Sequence, residues 1–421
     1  MYFAPMAILS TPGFRKVPRT GVIYVMTKAA EMQYSATDPS WANLGQGSPE
    51  EGELAGAPDR VTGVTINMND HAYANVEGLR ELREKVASFY NQEFRQGNAS
   101  QYTYKNVAIC GGGRLALTRI AAAIKGANMG HFLPDYTAYE ELLTIFRGFN
   151  PIPLLLKKEE AYKMSAEKLE EQILGLGLSV ILISNPCNPT GQVLRGAQLA
   201  DWLEKSRKTK CTMIFDEFYS HYIYNEQPGF INSATRFVED VNNDPVIIVD
   251  GLTKNWRYPG WRISWIVGPE QVIESVSSVA SFLDGGANRP FQRKAVDLFE
   301  PDWIKSETLA IQSHFSKKRS YMMERLENLP LSTDCEPEGS FYFWVNLDQL
   351  PEPIRDGHSF FKACLNENVI VVPGIYFDVN PGQRRAERNS KYHNYCRLSF
   401  GPSLEKLEVG MDAIERVIKK L

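Results

Sequence analysis

The strongest constraint on this chain is an alternation that begins at residue 107 and ends at 267. Short apolar runs occupy 107–110, 131–133, 151–156, 179–183, 212–215, 246–249 and 263–267, and they are rich in Val, Ile, Leu and Phe. Runs of that length and composition read as strands buried on both faces of a sheet. Amphipathic stretches at 115–124, 139–147, 166–173 and 196–206 separate several of them and carry the helical spacing. Strand, helix and strand in repetition predict an α/β architecture with a mostly parallel, doubly wound, seven-stranded sheet covered by helices on both faces. In such sheets ligands collect at the carboxyl ends of the strands, so the loops after the runs are where chemistry is sought.

The two ends of the chain read differently. Residues 1–70 are rich in Pro, Gly and polar side chains, with one helical piece at 22–32 and the turn Asn43-Leu-Gly-Gln-Gly-Ser-Pro49, whose glycines allow close backbone approach to a ligand or make a plain turn. Leu79, Leu82, Val86 and Phe89 mark an amphipathic helix. After Pro301, a stripe of Ile311, Phe315, Met322, Leu326 and Leu329 predicts a long helix. Strand-like runs follow at 341–345, 369–372 and 396–399, and 404–418 closes the chain as a helix. With 421 residues, two domains are expected. The division is an N-terminal segment 1–60 that joins a smaller α+β domain, a large domain 61–304, and a C-terminal part 305–421 that completes the small one.

Charge excludes some partners. Lys and Arg number 46 against 50 Asp and Glu, a net charge of -4, which suits neither nucleic acid nor an anionic membrane. No apolar run approaches the length of a membrane span. The opening Met1-Tyr-Phe-Ala-Pro-Met-Ala-Ile-Leu-Ser10 lacks a basic segment and is soon broken by Pro12, so it does not read as a secretory signal. The six cysteines have no CxxC spacing, which predicts reduced, buried thiols and a cytoplasmic setting. No histidine pair has the spacing of a metal site, and no metal is expected.

The loops carry the chemistry. Lys254 follows the run 246–249, Arg262 opens the run 263–267, and Pro259-Gly260 turns the chain between them, which brings both to one end of the sheet. A desolvated lysine there can act as an amine nucleophile, and an arginine nearby suits a phosphate; a solvated loop would contain the same residues. Gly111-Gly-Gly113-Arg114 lies between a strand and a helix, where free N–H groups bind phosphate. Asp135 lies at a strand end but is followed by Tyr136-Thr-Ala-Tyr139, which favours a single phosphate over a dinucleotide. Asp216 directly follows an apolar run and calls for a cationic partner, either a structural salt bridge or a bound group.

Asn185-Pro-Cys-Asn-Pro-Thr-Gly191, Asp216-Glu-Phe-Tyr219, Lys254 with Arg262, and Cys396-Arg-Leu-Ser-Phe400 occur in the order and spacing of one family. From about Asn43 to the C-terminus the chain resembles the class I/II aminotransferases, fold-type-I enzymes that use pyridoxal 5′-phosphate. The resemblance implies that Lys254 bonds to the cofactor aldehyde and later moves a proton between substrate and cofactor. Asp216 would pair with the pyridine nitrogen, Tyr219 and Asn188 would donate to the ring hydroxyl, and Tyr136 would stack on the ring. Gly112, Gly113, Arg114 and Arg262 would hold the phosphate. Arg397 would clamp the substrate α-carboxylate, with Gly47 and Asn188 beside it. Tyr73 would reach the phosphate of a neighbouring subunit, which implies a homodimer with shared sites.

The activity implied is transfer of an amino group between an amino acid and a 2-oxo acid. A pyridoxal-phosphate lyase, an aminocyclopropane-forming synthase and an amino-acid oxidase use the same cofactor chemistry, and these motifs do not separate them. A cofactor sensor fused to a regulator would need a DNA-binding module, which neither the N-terminal segment nor the charge offers. The chain departs from the family pattern at Arg114, where a small or hydroxyl residue is usual, at Gly251 and at Thr253. Arg289 is a candidate for an acidic substrate side chain or for a surface contact.

Overall fold

The computed structural model describes residues 11, 12, 14, 17, 21–146 and 148–420. The opening segment weighed above as a signal, and Arg147, expected to end a helix, lie outside these residues. In chain order, α1 (Gly21–Glu31), β1 (Ala42–Asn43) and α2 (Arg80–Phe94) come first. Then follow β2 (Val107–Cys110), α3 (Gly113–Ala123), β3 (Ala127–Leu133), α4 (Ala138–Ile145), β4 (Phe149–Leu155), α5 (Ala166–Leu176), β5 (Val180–Ser184), α6 (Gly196–Thr209), β6 (Thr212–Asp216), β7 (Val246–Gly251) and β8 (Ser264–Val267). α7 (Glu270–Leu283), α8 (Arg289–Ala295) and α9 (Pro301–Glu327) lead to β9 (Ser332–Thr333) and β10 (Tyr342–Asn346). α10 (Gly357–Leu365), β11 (Val369–Ile370), β12 (Val372–Pro373), β13 (Tyr395–Ser399) and α11 (Leu404–Lys419) complete the chain.

The seven-stranded sheet has the order β2-β8-β7-β6-β5-β3-β4. From β7 to β4 every neighbour is parallel. β8 is antiparallel to both β7 and β2. The β7–β8 connection holds only a 3-10 turn at Pro259–Trp261 and no helix that could carry the chain back across the sheet, so β8 returns antiparallel. Successive strand residues point to opposite faces, and the core divides accordingly. Ala108, Cys110, Ile214 and Val249 pack with α3, α4 and α7 on one side. Val107, Ile109, Met213, Phe215 and Ile248 pack with α2, α5 and α6 on the other.

A second, antiparallel sheet has the order β12-β13-β10-β9. The run 369–372, expected as one strand, is split: β11 pairs in parallel with β1, whereas β12 pairs with β13. Each half serves a different sheet, and the first half ties the N-terminal segment to the C-terminal part. α9 packs against both regions; Phe315 meets Tyr222 and Phe341 edge-on or tilted at 5.0 and 5.7 Å. All six cysteines are free, and five are buried. Among the described residues no helix is long and apolar enough to cross a membrane, and no group of three or more His, Cys, Asp or Glu could hold a metal ion.

Candidate active site

The loops after β2, β3, β5, β6 and β7 meet at one end of the large sheet around a cavity of about 330 Å³. Gly113, Arg114, Tyr136, Asn188, Asp216, Tyr219, Lys254 and Arg262 line it, so residues spread over 150 positions of sequence share one space.

Lys254 stands three residues beyond β7, in a turn closed by the Arg257 N–H on the Lys254 carbonyl at 3.0 Å. Its amine donates to the Gly47 carbonyl. Desolvation, then the cations Arg397, Arg262 and Arg114, push its pKa down to about 7, while Glu51 opposes them. An amine in that state is partly neutral at physiological pH and able to attack a carbonyl or accept a proton.

Asp216 ends β6 and is 6% exposed. The sequence called for a cationic partner, yet among the described residues no ion pair involves it. The neutral Tyr139 hydroxyl donates to it at 2.8 Å, and burial raises its pKa to about 6, opposed by Tyr139, the Phe218 backbone and Lys254. A buried carboxylate at the cavity wall with no cation in contact is suited to a cationic ring nitrogen.

Arg397 comes from β13 and Tyr342 from β10, where Trp344 pairs with Arg397 and Tyr342 with Ser399, so Arg397 and Tyr342 share one face of the small sheet. The Arg397 guanidinium is 1% exposed and lies 4.1 Å over the Tyr342 ring. It donates to Asn188 Oδ1 at 2.9 Å and to the Gly45 carbonyl at 2.7 Å, and its buried Nε has no acceptor in the described protein. An arginine fork with an open edge is fitted to a carboxylate. The hydroxyls of Tyr219 and Tyr342 are 2.8 Å apart, and burial together with this neighbour pushes Tyr219 well above the usual phenol range.

The phosphate-type turn forms at the start of α3. Gly112 has φ 99°, and a Cβ there would come within 2.0 Å of Arg262 Nη2, so the guanidinium rests on a surface only glycine provides. Arg114 reaches the Tyr136 hydroxyl at 3.4 Å. Among the described residues neither Arg114 nor Arg262 takes part in an ion pair, and they repel one another. Two such guanidiniums beside the first N–H groups of a helix make an anion site. The departure at Gly251 has a packing cause: a Cβ would meet the Ile263 carbonyl and Ser264 at 2.7 Å.

Two expected residues lie elsewhere. Tyr73 is 96% exposed and lines no part of this cavity. Arg289 starts α8 with its Nε 3.9 Å from Asp70, which Arg293 holds more closely at 2.6 Å. Conversely, Tyr139 and Tyr342 were missed. Tyr139 reads in sequence as the start of a helix and Tyr342 as a strand core residue, and neither carries a local sign of its contact.

The pattern of the family described as aminotransferase class I and II matches residues 39–414. The chain belongs to this family. A probable aspartate/prephenate aminotransferase of Aquifex aeolicus is 25% identical over 403 residues, which cover 94% of this chain and 95% of that one. Among solved structures, the aspartate aminotransferase from Thermus thermophilus with maleate superposes with TM-score 0.76 at 22% identity, covering 96% of this chain and all of that one. An aminotransferase from Mycobacterium tuberculosis gives TM-score 0.78 at 20% identity, over 96% of this chain and 98% of that one. At such identities the structural likeness speaks for the fold, and the sequence match carries the family.

The protein is thus a pyridoxal-phosphate-dependent aminotransferase, a transferase that moves an amino group between an amino acid and a 2-oxo acid. This supports amino transfer over the lyase, synthase and oxidase readings. The residues present fit the cofactor: the cavity joins a nucleophilic amine, a buried carboxylate in no ion pair among the described residues and an anion site of glycine N–H groups and arginines.

Proposed function

We propose that Lys254 is the residue that holds the cofactor covalently and moves the proton at the substrate Cα. The convergence of Lys254 and Asp216 on one cavity, with Arg397 bonded to its wall residue Asn188, carries this reading. When bound, pyridoxal phosphate supplies an electron sink for negative charge developing at Cα. Asp216 holds the positive charge of the ring nitrogen in place, and the Tyr139 hydroxyl keeps the carboxylate oriented. Tyr219 and Asn188 donate to the ring hydroxyl, and Tyr136 covers the ring face. Gly112, Gly113, Arg114 and Arg262 hold the phosphate. Arg397 fixes the substrate α-carboxylate through its fork, with Asn188 and Gly45 at its edges and Gly47 beside Lys254, and so orients the bond to be broken. Lys254, about half protonated at pH 7, takes and returns the proton.

Relatives named as aspartate aminotransferases make aspartate the donor to test first. We also propose a cytoplasmic homodimer in which Tyr73 of one subunit completes the phosphate site of the other. Its 96% exposure in the single chain is consistent with a role outside its own cavity. The domain division is proposed as 1–60 with 305–421 for the small domain and 61–304 for the large one. The decisive experiment is Lys254→Ala. The variant should bind pyridoxal phosphate without a borohydride-trappable bond and should not convert it to the pyridoxamine form with amino acids. A trappable bond in that variant would assign the wrong amine.

A further inference from the structure

Three residues after Lys254, Arg257 adopts a left-handed backbone with φ 56°, and its side chain is fully buried. Glycine takes that conformation without steric penalty, so an arginine is held there by what its side chain does. Its Nε and Nη2 donate to the Glu307 carboxylate at 2.6 and 3.2 Å. Its Nη1 donates to the Glu50 and Gly52 carbonyls at 3.0 and 2.5 Å. Arg60 adds a second tie, donating to the Arg257 carbonyl at 2.5 Å and stacking 3.6 Å over the Tyr258 ring.

Glu307, His314 and Lys318 are spaced by seven and four residues on α9, which places them on one stripe of the helix. Glu307 grips Arg257. His314 Nε2 lies 2.8 Å from the Glu50 carboxylate, and Lys318 donates to the same oxygen. Against the effect of its burial, these two partners hold Glu50 down to about 2. One helix stripe therefore fastens both the loop of Lys254 and the segment 46–52 that lies across it, and Arg257 joins the two directly.

We infer that Arg257 is a positioning residue: by bridging Glu307 to the Glu50 and Gly52 carbonyls, it clamps the 46–52 strap across Lys254 and fixes the Gly47 carbonyl against the amine. The inference rests on the assignment of Lys254 proposed above. The groups facing that amine are the cations Arg397, Arg262 and Arg114 and the acids Asp216 and Glu51. Of these only Glu51 belongs to the strap; it raises the amine, and its departure opposes the shift, but burial is the larger effect, so entry of water sets the direction. Burial is the largest cause of the depressed lysine, and a loosened strap returns the amine toward its ordinary range.

Arg257→Gly tests this without strain, because glycine accepts the same backbone and Arg60 remains 3.7 Å from Glu307. The readouts are covalent capture of added pyridoxal phosphate by the cofactor-free protein as a function of pH, and hydrogen exchange of residues 46–53. The expected result is a capture midpoint raised by about one pH unit or more. Exchange in 46–53 should accelerate at least about tenfold, with β5 and β6 unchanged. Arg257→Lys, which cannot span Glu307 and two carbonyls together, should fall between, and it carries the test if the glycine variant does not fold. A variant midpoint equal to that of the wild type, or exchange faster throughout the fold, overturns the inference. Failure of the wild-type protein to capture the cofactor on Lys254 would instead overturn the assignment on which it rests.

Discussion

The Tyr139 hydroxyl donates to the Asp216 carboxylate across 2.8 Å, and burial around this pair raises the acid from 3.8 to about 6. A carboxyl whose folded-state pKa is raised contributes stability that is fully present below about pH 4 and lost as pH rises through about 6. Two pH units correspond to about 3 kcal/mol. Asp216→Asn in the cofactor-free protein should therefore be the more stable form at pH 7.5, by up to about 3 kcal/mol, with the advantage vanishing near pH 4. Denaturant unfolding at the two pH values measures it. With pyridoxal phosphate present the order should reverse, because the asparagine cannot pair with a cationic ring nitrogen.

Lys254 yields a prediction of opposite sign. Its amine is depressed from 10.5 to about 7, so its stabilising contribution is present above the unfolded value and is lost as pH falls through about 7. Lys254→Met should thus stabilise the cofactor-free protein most at pH 6 and least at pH 10, as thermal unfolding would report. In the native protein, covalent capture of the cofactor should rise about tenfold from pH 6 to 8 and then level off. A rate that keeps climbing to pH 10 would mean an ordinary lysine.

How far these residues could be read from sequence depends on the range of the interaction. β2 to β8 were legible because each is a short apolar run closed by a turn, and burial on both faces leaves no other reading. Lys254, Asp216, Asn188 and Arg397 were legible because each lies in a motif fixed by its neighbours. Tyr139 and Tyr342 were not, since their contacts to Asp216 and Tyr219 span 77 and 123 positions. The split of 369–372 was hidden for the same reason: which sheet each half joins depends on β1 and β13. Arg257 lies inside a motif, but its partner Glu307 is 50 residues away on what reads as a plain helix.

Arg397 should not tolerate lysine. The guanidinium holds Asn188 and Gly45 with two nitrogens and leaves its buried Nε without a protein acceptor, a geometry an ammonium cannot copy. Loss of one charge-assisted bidentate contact is worth roughly 1.5 to 3 kcal/mol, so kcat/KM for Arg397→Lys should fall about ten- to a hundredfold. Cofactor content, read by absorbance, should stay at the wild-type level, which separates a substrate effect from a lost cofactor site.

The proposed exchange of Tyr73 between subunits can be tested without resolving the dimer. Tyr73 is almost wholly exposed in one chain, and the apolar residues Ile66 and Met68 a few positions earlier in sequence are exposed as well. A surface of that kind is expected to be covered by a partner. If Tyr73 serves the neighbouring phosphate site, Lys254→Ala and Tyr73→Ala homodimers are each impaired at both sites. A hybrid of the two contains one site with its own Lys254 and the partner's intact tyrosine. Mixing the variants under conditions of subunit exchange should therefore restore activity above either alone, toward about a quarter of the wild-type level at random pairing. The same mixture should give no recovery if Tyr73 acts within its own subunit, because every hybrid site then lacks one of the two residues.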